Sequence, residues 1–136
     1  MRVVVDPNVI VSAMLTPGSA PDRVLQAALG GTITVIVSPK LLQEVREVTA
    51  RPKFEWLDRE EVDRVLDGLA ACESAADPTE VPAVTRDPGD DYLIALARTA
   101  GAEMLVSGDL DLLEAEISEP AVLNPRGFVD GHLGGS

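Results

Sequence analysis

Arg2-Val3-Val4-Val5-Asp6-Pro7-Asn8 opens the chain with a β-branched run that stops on an acid. Three valines in a row leave no polar face, so the run reads as a strand covered on both sides, in the centre of a sheet. Asn8 to Leu15 is apolar and begins a helix that breaks near Thr16-Pro17-Gly18. A second helix spans Pro21 to Leu29, with Ser19 or Ala20 near its start and Gly30-Gly31 at its end. Thr32 to Val37 is the next strand. Ser38-Pro39 then supplies a cap and a proline at the first helical position, for a helix that runs to about Thr49 and stops at Arg51-Pro52.

Further along, Asp58 caps a helix from Arg59 to Cys72. Residues 74–84 are aperiodic and leave room for a short edge strand. The turn Asp87-Pro88-Gly89-Asp90 leads into a helix from Asp91 to Ala100, ended by Gly101. Glu103 to Val106 is a third clear strand, and Ser107-Gly108-Asp109 turns into a short helix. Ala121 to Leu123 forms a last strand, and Asn124-Pro125 starts a final helix that packs Phe128 on the sheet. Strands alternating with helices predict an α/β fold with a mainly parallel sheet. Residues 1–130 form one domain and 131–136 a flexible tail that includes the sole histidine, His132, which is given no catalytic part.

Composition narrows the function. Hydrophobic residues make up 46% of the 136 and aromatics only 3%, so the core is aliphatic. A stacking surface for single-stranded bases is not expected, since only Phe54, Trp56, Tyr92 and Phe128 could build one. The net charge of −12 argues against nucleic-acid binding by phosphate neutralisation alone, but suits divalent cations if carboxylates converge. Cys72 is alone, which excludes an internal disulfide and a cysteine zinc site, and it is read as core. The amino-terminal apolar run is too short for a secretion signal, and no run reaches the ~20 residues needed to span a bilayer. A soluble, cytoplasmic protein without membrane contact is the expectation.

The acids fall in a pattern. Asp6 follows the first strand and Asp109 follows the strand ending at Val106, so both project from the carboxyl edge of a parallel sheet. On the Pro39 to Thr49 helix, Glu44 lies about 40° from Val48 and 60° from Leu41, at the border of the buried stripe and facing inward. Extending the phase of Leu93, Ile94, Leu96 and Ala97 backwards puts Asp90 about 40° from the centre of the apolar face and Asp91 about 140° away. Asp90 therefore points inward and Asp91 outward, with Asp91 kept as the substitute. An acid at a helix start is commonly a cap, so position alone identifies none of them. The joint pattern of acids at strand ends and helix starts is what points to a site.

The segments Val3 to Ala13, Ser38 to Glu44, Arg86 to Ala95 and Leu105 to Leu113 together resemble the PIN-domain family, in order and over nearly the whole chain. The nearest likeness is to VapC-like toxin components of bacterial toxin–antitoxin systems. The resemblance implies a single PIN-like domain with a doubly wound sheet of strand order 3-2-1-4-5, and a ribonuclease dependent on Mg2+ or Mn2+. By motif, Asp6, Glu44, Asp90 and Asp109 occupy the four acidic positions, which again favours Asp90 over Asp91. Asp111 sits at an often-acidic place, Ser107 where the family has Thr or Ser, and Asn8 at a common polar position. Pro7 stands where Thr or Ser is more usual. A cognate antitoxin and a homodimer are the implied partners.

Close carboxylates raise one another's pKa, and a hard divalent ion with oxygen ligands removes the conflict. The expected ligands are Asp6, Asp90 and Asp109. Glu44 would orient the attacking water, Asn8 and Ser107 would hold the acids in place, and Asp111 would assist. Arg46, Arg51, Lys53 and Arg86 flank these motifs and are the candidate RNA contacts. The rival readings are a non-catalytic PIN-like module that binds a protein and a housekeeping RNA-processing nuclease. A phosphatase with an aspartyl nucleophile would want an acid where Asn8 stands, and a receiver domain would want a lysine near Leu123-Asn124-Pro125.

Overall fold

The computed structural model describes residues 1–134. Five strands, β1 (Arg2–Val5), β2 (Thr34–Val37), β3 (Glu73–Ser74), β4 (Met104–Val106) and β5 (Ala121–Leu123), form one sheet of order β3-β2-β1-β4-β5. Every adjacent pair is parallel. Seven helices connect and flank the strands: α1 (Pro7–Leu15), α2 (Ala20–Leu29), α3 (Pro39–Thr49), α4 (Arg59–Ala70), α5 (Pro88–Ala100), α6 (Leu110–Leu113) and α7 (Pro125–His132). A short 3-10 turn, Pro52–Phe54, lies between α3 and α4.

The valines of β1 are buried, as are Val35, Ile36 and Val37 of β2 and Leu105 and Val106 of β4. Continuous apolar strands of this kind need cover on both faces, which the helices provide. From β1 the chain winds outward through β2 to β3, then returns to place β4 on the other side of β1. The reversal lies between β1 and β4, whose carboxyl ends are adjacent, with Val5 paired to Val106. Open parallel sheets place ligands at such a switch point.

Several boundaries differ from the expectations for local reasons. The amides of Thr32 and Ile33 bond back to the carbonyl of Ala27, so β2 starts only at Thr34. The edge strand lies at Glu73–Ser74, at the very start of the aperiodic segment. Helix α4 ends at Ala70, and Cys72 is half-buried against the core rather than fully within it. Helix α5 begins at Pro88, capped by Asp87, and ends at Gly101, whose φ of 71° is left-handed. Helix α7 takes in Gly131 and His132, residues assigned to the tail, because the His132 ring stacks on Phe128 with centroids 5.2 Å apart. Of that expected tail, residues 135–136 lie outside the described part. No helix among the described residues is long and apolar enough to cross a membrane.

Phe128 is fully buried and anchors α7, which packs on α2. Phe128→Ala is expected to lower unfolding free energy by ~3–5 kcal/mol in urea denaturation. Trp56→Ala, at a residue 65% exposed, is expected to change it by no more than ~0.5 kcal/mol.

Candidate metal centre

Asp6 caps α1 at the end of β1. Its Oδ1 accepts the amide of Asn8 (2.9 Å) and its Oδ2 the hydroxyl of Ser107 (2.8 Å), a residue 101 positions away. Ser107 is itself buried, and its Oγ also accepts the amide of Asp109 (3.0 Å). One hydroxyl thus ties the loop after β1 to the loop after β4. Asp109 caps α6, with its Oδ1 accepting the amide of Asp111 (2.8 Å). The contacts recorded for Asn8 and Asp111 run through their backbone amides, and both residues are exposed. Each lies two residues beyond an aspartate cap whose turn presents its amide.

Asp90 lies in the first turn of α5 and is 5% exposed. Carboxylate oxygens of Asp87, Asp90 and Asp109 lie within 4.8 Å of one another. Asp90 Oδ2 is sealed from solvent and has no hydrogen-bond partner among the described residues. Burial, then the neighbouring charge of Asp109 and a hydrogen bond between the two carboxyl groups, pushes the Asp90 pKa up to about 7, with Asp87 and Asp6 adding to it. The Asp6 pKa is also raised, first by burial and then by the charges of Asp109 and Asp87 against the pull of its two hydrogen bonds. Glu44 is raised as well, by burial and by the charge of Asp6, with Lys40 and Arg51 opposing. The four expected acids therefore share one electrostatic neighbourhood, although they come from four different elements.

Three details depart from expectation. Asp91 does not point outward: it is 6% exposed, and its Oδ1 accepts the amides of Val84 and Thr85 (3.0 and 2.7 Å) and the Thr85 hydroxyl. These bonds hold its pKa low despite burial and make it the anchor of the 84–87 loop rather than a part of the cluster. Glu44 does not face inward. It is exposed as a residue, at the border of the α3 stripe, while its carboxylate stays close enough to the cluster to feel burial and the charge of Asp6. Asp87 joins the cluster, a residue the sequence reading treated only as part of a turn. Its spacing of three from Asp90 on an opening helix turn was the available signal.

The candidate RNA contacts are all exposed. Among them, Arg51 acts on Glu44, and Arg46 donates to Gln43 (3.1 Å). Lys53 lies over the Phe54 ring (5.1 Å), and Arg86 lines a pocket with Thr85, Asp111 and Glu114. Lys40 was missed. It reaches over the Tyr92 ring (4.4 Å), while the Tyr92 hydroxyl bonds Asp77 and Ser38. Beside the acids, a pocket of about 350 Å³ opens between Asp6, Asn8, Ser12, Pro21, Gly108 and Asp109.

The donor set fits a hard divalent cation. It is all oxygen, partly buried and in mutual conflict, and one oxygen lacks any other partner. No ion pair among the described residues involves Asp6, Asp87, Asp90 or Asp109. Asp87, Asp90 and Asp109 could converge on an ion directly, with Asp6 held alongside by Ser107.

With Asp90 raised to about 7, the folded metal-free chain keeps a proton that the unfolded chain releases near its ordinary value of 3.8. This contribution to stability is present at low pH and drains away as pH climbs through about 7. Asp90→Asn is expected to raise the melting temperature in EDTA at pH 8 by a few degrees, with no gain at pH 4. An equal gain at both pH values would contradict the assignment.

A PIN domain family model matches residues 2–111. The chain is 31% identical over 117 residues to the uncharacterized protein MJ1680 of Methanocaldococcus jannaschii, a match covering 83% of this chain and 74% of that protein. In fold it is similar to a chain in the crystal structure of VapBC2 from Rickettsia felis bound to a DNA fragment from their promoter. That likeness has a TM-score of 0.60 and 16% identity, over 91% of this chain and 98% of the other. With the matched segment running from β1 through the cap of α6, the chain belongs to the PIN domain family.

Proposed function

We propose that this protein is a ribonuclease dependent on Mg2+ or Mn2+ that hydrolyses phosphodiester bonds in RNA. The observation that carries the reading is the solvent-sealed, unpartnered Oδ2 of Asp90 within a cluster of carboxylates. In this reading Asp90 and Asp109 hold the ion together with Asp6, which Ser107 keeps beside them, and Asp87 adds an oxygen from the exposed rim. When bound, such an ion supplies charge relief at the scissile phosphate and a lower pKa for the attacking water.

The chain's own groups do the rest. Ser107 fixes the Asp6 carboxylate through its Oδ2 and keeps the Asp109 amide in register. Glu44, with its pKa raised beside Asp6, orients the water and takes its proton. Arg51 and Lys40, whose charges already reach Glu44, neutralise phosphates on either side, with Arg46, Lys53 and Arg86 further out. The charge of −12 then ceases to be an obstacle, because the phosphate meets a cation before it meets the acids.

The fold it shares with a chain of VapBC2 supports a toxin of a type II toxin–antitoxin pair. Its partners would be a cognate antitoxin and a second copy of itself, and it would act in the cytoplasm. A basic antitoxin segment suits an acidic pocket, where a cation could enter among the carboxylates.

Single-stranded RNA incubated with the purified chain and Mg2+ or Mn2+ is expected to be cut, and EDTA to stop the cutting. Asp6→Asn or Asp90→Asn should each lower the rate by about 10²-fold or more. Cleavage that survives EDTA, or a near-normal rate in either variant, would overturn the reading.

Ser107→Ala keeps every acid but frees the Asp6 carboxylate. It is expected to lower Mn2+ affinity or kcat by about 10–100-fold, measured by calorimetry and steady-state kinetics, with KM for RNA nearly unchanged.

A further inference from the structure

Trp56 is the single tryptophan of the chain and is 65% exposed, while Phe128 and Tyr92 are buried and Phe54 is half-buried. It sits in the tight turn between α3 and α4, where the Leu57 amide bonds the Phe54 carbonyl (3.0 Å) and Leu57 is buried beneath. Two side-chain cations, Lys53 and Arg59, meet at Phe54, and the backbone of Arg51 closes the turn. The Arg51 carbonyl accepts the Phe54 amide (2.9 Å), Lys53 Nζ lies over the Phe54 ring (5.1 Å), and Arg59 Nη2 donates to the Phe54 carbonyl (2.8 Å). Residues 51–59 hold three of the chain's eleven basic residues, Arg51, Lys53 and Arg59, with Glu55 and Asp58 between them and Glu60 and Glu61 following, in a chain of net charge −12. The turn is continuous with the proposed centre through Arg51, which acts on Glu44 about 10 Å back along α3.

We propose that this turn is a single-stranded RNA subsite, with an unpaired base stacked on Trp56 and the flanking phosphates held by Arg51, Lys53 and Arg59. The expectation from composition was that no stacking surface exists; one exposed indole in a turn that also carries Lys53 and Arg59 is enough for one base, because stacking uses the face common to all bases. A base in a duplex is already stacked and cannot reach the ring. The subsite rests on the nuclease reading for its role, since it extends the path of the strand beyond the acids.

The lone tryptophan makes the test direct. A mixed-sequence single-stranded RNA oligonucleotide is titrated with Mg2+ into the Asp6→Asn variant, with Trp56 fluorescence as the readout. Quenching by the single strand and little change with the matching duplex are expected. Adding Trp56→Ala should weaken binding, followed by a labelled oligonucleotide, by roughly 5- to 150-fold, and Trp56→Phe should stay near the parent. Lys53→Ala with Arg59→Ala should reduce the salt slope of binding by about 0.7 for each lost phosphate contact. In the otherwise unaltered chain, Trp56→Ala should raise KM more than it lowers kcat.

Equal quenching by single strand and duplex, no quenching at all, or a Trp56→Ala variant that binds like its parent would overturn the proposal. So would fluorescence that shifts only with protein concentration, which would assign the turn to a contact between copies. Cleavage without quenching removes the subsite and leaves the nuclease reading standing. Quenching without cleavage supports the subsite and removes the nuclease reading.

Discussion

Asp90 carries an oxygen that is shut off from water and, among the described residues, accepts no hydrogen bond, within reach of two other carboxylates. Such an atom costs free energy in the metal-free chain, both through lost hydration and through repulsion. The surrounding fold nevertheless holds it there. Asp109 and Asp6 cannot move away, because each is tied by its own cap and by the shared Ser107 hydroxyl. The helix that carries Asp90 is equally fixed, by Asp87 at its cap and by Asp91 bound to the 84–85 loop. The arrangement is strained electrostatically and rigid mechanically, which is what a preformed cation site requires.

The sheet order explains why these groups can meet. Placing β4 beside β1 brings the ends of two strands about a hundred residues apart into one crevice. The apolar runs of β1, β2 and β4 exclude water beneath it, so the acids stand over a dry floor. Asp6 and Asp90 are desolvated as a result, and burial is the leading cause of the rise in both pKa values. Glu44 and Asp87 are exposed, on the side of the cluster open to solvent.

Much of this was legible in the sequence. The strand after Met1, the helix from Pro39 to Thr49 and the two short strands at Met104 and Ala121 follow from β-branching, capping and proline placement. The choice of Asp90 over Asp91 for the cluster followed from helical phase. The phase argument failed for Asp91, because it counts the core as the only destination for a buried side chain. A loop that offers two amides and a hydroxyl buries an acid equally well. It failed for Glu44 in the other direction, since the edge of an apolar stripe fixes a bearing but not a depth. Lys40 escaped notice because its contact with Tyr92 depends on tertiary approach that no local pattern encodes, and Asp87 because its spacing from Asp90 was read only as a turn. Trp56 was discounted by composition, which counts rings and not their exposure.

The account stands or falls on whether the carboxylates bind a divalent ion together. Crystals grown with Mn2+ and measured at an anomalous wavelength address this without reference to activity. The account predicts a peak at ordinary Mn–oxygen distance from Asp90 Oδ2, with oxygens of Asp109 and at least one of Asp6 and Asp87 completing the protein's share of the ligands. Saturating Mn2+ with no peak there, and Asp90 Oδ2 instead bonded to a water or to a shifted side chain, would contradict it.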